Sequence, residues 1–84
     1  MTYEVIISKE AKREIKALPA KVQPRIYDAI LLLGQNPHPT ASRKLKAIDG
    51  YRLRVGDYRI IYLIEKKILR VIVVKVKLRK DAYR

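Results

Sequence analysis

The chain of 84 residues contains no cysteine. That excludes disulfides, thiolate zinc sites and cysteine nucleophiles together. Histidine is nearly absent too: His38 stands alone, between two prolines, and reads as loop surface. A histidine-based metal site or a Ser-His triad therefore has no residues to be built from. No apolar run reaches the 18 residues of a membrane span, and Met1-Thr2-Tyr3-Glu4 has none of the features of a signal peptide. These absences point to a cytoplasmic protein. Acidic residues are also few, 8 against 20 Lys and Arg, for a formal net charge of +12.

At this length one domain, residues 1–84, is expected, and folding removes only about 60% of the unfolded chain's surface from water. Hydrophobic residues still make up 49% of the sequence, too many for a disordered basic tail. The charge is unevenly placed. Residues 1–42 carry six basic and four acidic groups, whereas residues 43–84 carry fourteen and four. A cation concentrated in one half points to a polyanionic partner. A membrane surface is the least favoured of these, because the basic residues fall in a strand-rich region and not on an amphipathic helix.

Thr2–Ile7 alternates, with Tyr3, Val5 and Ile7 on one face, and predicts a strand. Ser8 suits the N-cap of a helix to about Leu18, on which Ala11, Ile15 and Leu18 recur at helical spacing. A second helix is expected over about Ala20–Leu33, its stripe formed by Val22, Ile26, Ala29, Ile30 and Leu33. Pro24 requires either a bend or a regular part that begins there. Gly34 reads as the C-cap and Asn36-Pro37 as a stop. Three strands should follow, near Tyr51–Val55, Tyr58–Ile64 and Ile68–Val76. The fold class is thus α+β in the order β-α-α-β-β-β, an antiparallel sheet with two N-terminal helices packed on one face.

Gly56-Asp57 fits a two-residue hairpin loop of type II′, with glycine first. That turn pairs Val55 with Tyr58, Arg54 with Arg59, Leu53 with Ile60 and Arg52 with Ile61. Period-2 alternation then puts Tyr51, Leu53, Val55, Tyr58, Ile60 and Tyr62 on the core face, and Arg52, Arg54 and Arg59 together on the other. Like charges directly opposite each other cost up to about 1 kcal/mol. Two readings of the trio stay open on pattern alone: a solvated charged face, or a site where an anion relieves the repulsion, phosphate being the usual partner of guanidinium. The outer face is also apolar further along, at Ile61 and Leu63, so the C-terminal segment or a second protein is expected to cover it. The tail adds further cations and Tyr83, which is either a stacking platform for an unpaired base or part of a frayed terminus.

The opening strand, the helix pair around Ala17-Leu18-Pro19, the Lys44-Leu45-Lys46 run, the stretch from Tyr51 to Tyr62 and the closing Arg79-to-Tyr83 segment together resemble a RelE-type toxin of the RelE/ParE superfamily. The resemblance implies a toxin that cleaves mRNA in the ribosomal A site without metal or cofactor and is held inactive by a cognate antitoxin. In that chemistry the ribose 2′-OH attacks the adjacent phosphate and expels the 5′-oxygen, leaving a 2′,3′-cyclic phosphate. It implies Arg52 and Arg59 on the scissile phosphate, Arg79 as proton donor to the leaving group and Tyr83 orienting the mRNA. Lys44, Lys46 and Lys77 would contact RNA phosphates. Arg54 stands where the best-known members carry a lysine proposed as general base; arginine stays protonated in proteins and is a poor base, so Arg54 is expected to act electrostatically. Lys77-Leu78 replaces a common Gly followed by His or Lys. The partners implied are an acidic, partly helical antitoxin, the ribosome and mRNA, with operator DNA reached only through the antitoxin and the toxin itself monomeric. Two other functions fit the same fold: a ParE-like DNA gyrase inhibitor, and a non-catalytic RNA- or ribosome-binding module.

Overall fold

A computed structural model describes residues 2–46 and 49–78. Strand β1 (Glu4–Ile7) leads through α1 (Lys9–Lys16) and α2 (Gln23–Gln35) to β2 (Ser42–Lys44), β3 (Tyr51–Val55), β4 (Tyr58–Glu65) and β5 (Arg70–Leu78), with a 3-10 turn at Lys66–Ile68 joining the last two strands. The sheet order is β1-β5-β4-β3-β2. From β5 to β2 every pairing is antiparallel, but β1 runs parallel to β5, so the sheet is mixed and not wholly antiparallel. A parallel neighbour needs a crossover, and the two helices are part of it. The short β2 is an addition to the expected strands.

Both helices cover one face. α1 lies against β5 while α2 crosses β1, β5 and β3. Ala11 and Ile15 from α1 and Ile26, Ile30 and Leu33 from α2 pack onto Leu53, Ile60, Tyr62, Val71, Val73 and Val76. Ser8 caps α1 as expected, its hydroxyl accepting from the Ala11 N–H at 3.1 Å. Pro24 does not bend a longer helix; it sits in the first turn of α2, where its missing N–H has no intrahelical partner to lose. Leu31 and Leu32, 66% and 63% exposed, point away from the core.

Gly34 is not the C-cap. It lies inside α2, whose cap is Asn36, and its carbonyl accepts from the Tyr3 N–H. A Cβ at Gly34 would stand 2.9 Å from Val5 Cγ2 and 3.1 Å from the Tyr3 carbonyl oxygen. The glycine is there to let α2 touch β1.

One irregularity decides how the last strand faces. Opposite β4, Ile61 pairs with Lys75 but Tyr62 pairs with Val73, which leaves Val74 as an extra residue in β5. Before this bulge the inward residues are Val71 and Val73; after it the inward residue is Val76. An unbroken period of two would have continued Val71, Val73, Lys75, Lys77 on the core side. The bulge reverses the alternation and turns both lysines outward.

Two expectations follow. Deleting Val74 should remove the bulge together with its reversal of phase, leaving Val73, Lys75, Val76 and Lys77 in one unbroken alternation with both lysines still outward, so the cooperative urea transition should survive in a domain worth roughly 0.05–0.15 kcal/mol per residue. Loss of the cooperative transition would refute that account of the bulge. Gly34→Ala gains about 1 kcal/mol of helix propensity but overpacks against backbone, at about 1–3 kcal/mol. A net loss near 1 kcal/mol is expected, read as a melting temperature lower by about 4–8 °C.

Candidate functional site

The β3–β4 hairpin has the register its turn residues predict: Val55 opposite Tyr58, Arg54 opposite Arg59, Leu53 opposite Ile60 and Arg52 opposite Ile61. Gly56 has φ +58 and Asp57 has no positive φ, as a type II′ loop requires. On the face away from the helices this register sets Arg54 directly across from Arg59. Continuing across the sheet, Arg59 faces Lys77 of β5. Three cations therefore form a row over three adjacent strands. Arg52 lies two residues along β3, opposite Arg43 of β2.

Arg59, the middle of the row, is 4% exposed, whereas Arg54 is open to solvent. Removing a guanidinium from water costs several kcal/mol unless it is compensated. Cross-strand cations on both sides add to that cost. Carboxylates reach this half of the sheet from α1: Glu14 pairs with Lys77, and Glu10 with Lys75 at 3.4 Å. Between the cationic row and the charged positions Glu4, Arg70 and Glu65, the outer face is apolar at Ile6, Ile61, Leu63 and Ile72, in neighbouring register positions. Among the described residues no group of three or more His, Cys, Asp or Glu side chains is arranged to hold a metal ion.

Not every expected site residue joins the row. Lys44 pairs with Tyr51, which puts it on the helix side of the sheet's alternation, and Lys46 lies in the bend after β2. Arg79 and Tyr83 lie outside the described residues, as does the C-terminal segment expected to cover the outer face. Arg43 and Lys75 share the cationic half without having been singled out. The signal for Arg43 was the alternation within the Arg43–Lys46 run, too short to show as a strand. Arg43 is partly committed, its Nη1 donating to the Thr40 and Ser42 carbonyls, both at 2.8 Å.

Behind the arginines, the inner face holds the site's floor. Tyr62 is fully buried and its hydroxyl donates to the Pro37 carbonyl at 2.8 Å. Its ring stacks on Tyr51 at 5.8 Å, and His38 meets Tyr51 edge-on at 5.1 Å. Burial raises the Tyr62 phenol above its usual 10.0, partly offset by a hydrogen bond with Ser42. The loop leading into β2 is thus fastened to β4, with Ser42 Oγ donating to the Pro39 carbonyl at 2.8 Å and the His38 N–H donating to Asn36 Oδ1.

The family model described as the ParE toxin of type II toxin-antitoxin systems, parDE, matches residues 5–83. The chain belongs to this toxin family. Within it the similarity is to RelE toxins. Toxin RelE of Mycobacterium tuberculosis is 30% identical over 84 residues, spanning 98% of this chain and 87% of that protein. The archaeal RelE–RelB complex of Pyrococcus horikoshii contains a chain 33% identical to this one, with a TM-score of 0.83 over 94% of this chain and 97% of the other. The RelBE2 toxin-antitoxin complex of Mycobacterium tuberculosis has a TM-score of 0.85 at 22% identity, covering 94% of this chain and 100% of the other, a likeness of fold. The molecule is a RelE-type toxin with an α+β fold.

Tyr62→Phe removes the donor to a buried carbonyl of the toxin and should cost about 1–3 kcal/mol in urea titrations. The difference depends on pH in a defined direction. With the folded phenol raised above 10.0, the unfolded chain loses its proton first, so parental stability falls as pH rises past the unfolded value. The Phe variant lacks that loss, and the gap between the two proteins should narrow in alkali. A gap that stays constant across that range would contradict a buried neutral phenol.

Proposed function

We propose that this toxin is a metal-independent endoribonuclease that cuts mRNA in the ribosomal A site and so stops translation in the cytoplasm. The observation that supports the reading is the row Arg54–Arg59–Lys77, with Arg59 buried and Arg52 alongside. In the reaction a 2′-oxygen forms a bond to phosphorus, the bond to the 5′-oxygen breaks, and negative charge builds on the phosphorane between. Arg52 and Arg59 are suited to hold the scissile phosphate, since planar guanidinium offers paired donors. Arg54 adds charge stabilisation in the transition state. The 2′-OH proton must pass to water or to the ribosome, because Arg54 cannot accept it at neutral pH.

Arg79 as donor to the leaving oxygen and Tyr83 as a support for the mRNA belong to the same reading through the family resemblance. Lys44 and Lys46 would meet RNA at backbone phosphates beyond the row. For the partner, complexes of similar toxins with RelB support an antitoxin, and the family resemblance makes it acidic and partly helical. Its acidic groups suit the cationic half of the outer face, and its apolar ones suit Ile6, Leu63 and Ile72. Operator DNA would be met only through that antitoxin, and the free toxin would be a monomer.

Primer extension on mRNA with purified toxin, with and without 70S ribosomes carrying an empty A site, tests the assignment. Discrete cuts are expected only with ribosomes. Arg59→Ala should slow cleavage by about a hundredfold or more, with the circular dichroism spectrum retained. Arg54→Ala, at an exposed position, should act in the same direction without touching the packing. The ParE description of the matching family model favours a second reading, inhibition of DNA gyrase. Folded toxin that makes no cuts but blocks gyrase supercoiling would replace the first reading with the second.

A further inference from the structure

Glu14 is the one ion-paired carboxylate among the described residues that is substantially withdrawn from solvent: its side chain is 13% exposed, against 52% for Glu10 and 62% for Glu4. Its two oxygens serve different strand groups. Oε1 accepts the Val76 N–H at 2.8 Å, a donor on the edge of β5 that β1, ending at Ile7, does not reach. Oε2 pairs with the Lys77 ammonium. Lys77 in turn stands directly across from Arg59 and is turned toward the row by the Val74 bulge.

We infer that Glu14 is a positioning residue and built-in counter-ion, which withholds Lys77 from an incoming anion and so limits the number of cations the row offers. Were Lys77 to bind phosphate, it would leave a carboxylate in a largely dry site with half its partners gone, a substantial penalty. The anion therefore engages the arginines while Lys77 stays on Glu14. This replaces the expectation that Lys77 contacts RNA directly. The inference rests on the proposed function only for the identity of the anion, RNA phosphate; the geometry stands apart from it.

The test is equilibrium binding of a short 2′-O-methyl single-stranded RNA, which cannot be cut, across a salt series. Glu14→Gln keeps an oxygen for the Val76 N–H but removes the charge that holds Lys77. Its plot of log K against log salt should steepen by about 0.7, one added phosphate contact. Its affinity advantage should then shrink about threefold between roughly 50 and 200 mM salt. Lys77→Ala alone should leave the parental slope unchanged, and adding it to Glu14→Gln should restore that slope. A parental slope for Glu14→Gln, or a slope shallower by about 0.7 for Lys77→Ala alone, overturns the inference. So does an absence of RNA binding by the parent and Glu14→Gln alike.

Should Glu14→Gln fail to fold, carbon-13 NMR of the parental toxin decides instead. The Glu14 carboxylate resonance should hold its position as RNA is added at about 0.1 M salt, and a shift at saturation would overturn the proposal. Failure of the functional reading is visible separately. A toxin that gives the expected slopes yet makes no ribosome-dependent cuts keeps this inference and loses the cleavage assignment, while ribosome-dependent cuts with flat slopes do the opposite.

Discussion

The extra residue in β5 is the constraint on which the cationic face depends. Val74 lies between two segments of opposite phase, valines inward before it and lysines outward after it. A bulge needs its unpaired backbone groups satisfied, since an orphaned buried N–H or C=O costs as much as a lost hydrogen bond. Ser8 meets much of that need. Its N–H donates to the Val73 carbonyl at 2.9 Å and its hydroxyl to the Val74 carbonyl at 3.3 Å. The same hydroxyl accepts from Ala11 and so starts α1. One side chain thereby links the end of β1, the first turn of α1 and the irregular point of β5.

From there α1 follows the edge of β5 that β1 leaves open. Edge strands present unpaired donors and acceptors and are normally covered or charged. Here Glu14 takes the Val76 N–H, while Glu10 and Glu14, four residues apart on one helix face, meet Lys75 and Lys77, two apart on one strand face. The match works because a helical turn rises about 5.4 Å and two strand residues about 6.6–6.8 Å. Of these contacts the exposed Lys75 pair contributes little, since such pairs are typically worth 0–1 kcal/mol. The backbone bond to Glu14 is the more consequential one, because it closes an edge and not merely a charge pair.

How much of this could be read beforehand varies with the range of the interaction. The hairpin and the arginine pair were legible to the residue, because a two-residue loop leaves one register and alternation assigns the faces. The helix starts were legible from Ser8 and Pro24, both local signals. The parallel placement of β1 was not, since its partner is over sixty residues away and the alternation of Tyr3, Val5 and Ile7 suits either direction. Gly34 followed a helix stripe and so looked like a cap; only the approach of Val5 and Tyr3 shows it as a packing position. The bulge was hidden by composition: a run of valines and isoleucines carries no phase, so the point where inward and outward exchange leaves no mark. Glu14, one acidic residue on an ordinary amphipathic helix, carried no signal at all.

Fold and family leave the choice of chemistry to the site, because one scaffold of this kind serves different targets. What bears on that choice is the direction in which energy was sacrificed. A buried arginine flanked by cations favours an anionic partner, whether the acidic groups of a protein or the phosphate of a nucleic acid. A phosphate that gains charge in its transition state changes the balance. Donors already fixed by a two-residue turn and a bulge need no reorganisation as the charge develops, and they act most strongly where water is scarce. The position of Arg54 fits the same logic. Without a lysine there to shed a proton, the site's contribution shifts toward stabilising charge, and the number and placement of its cations become the quantities that matter. Glu14 acts on that number.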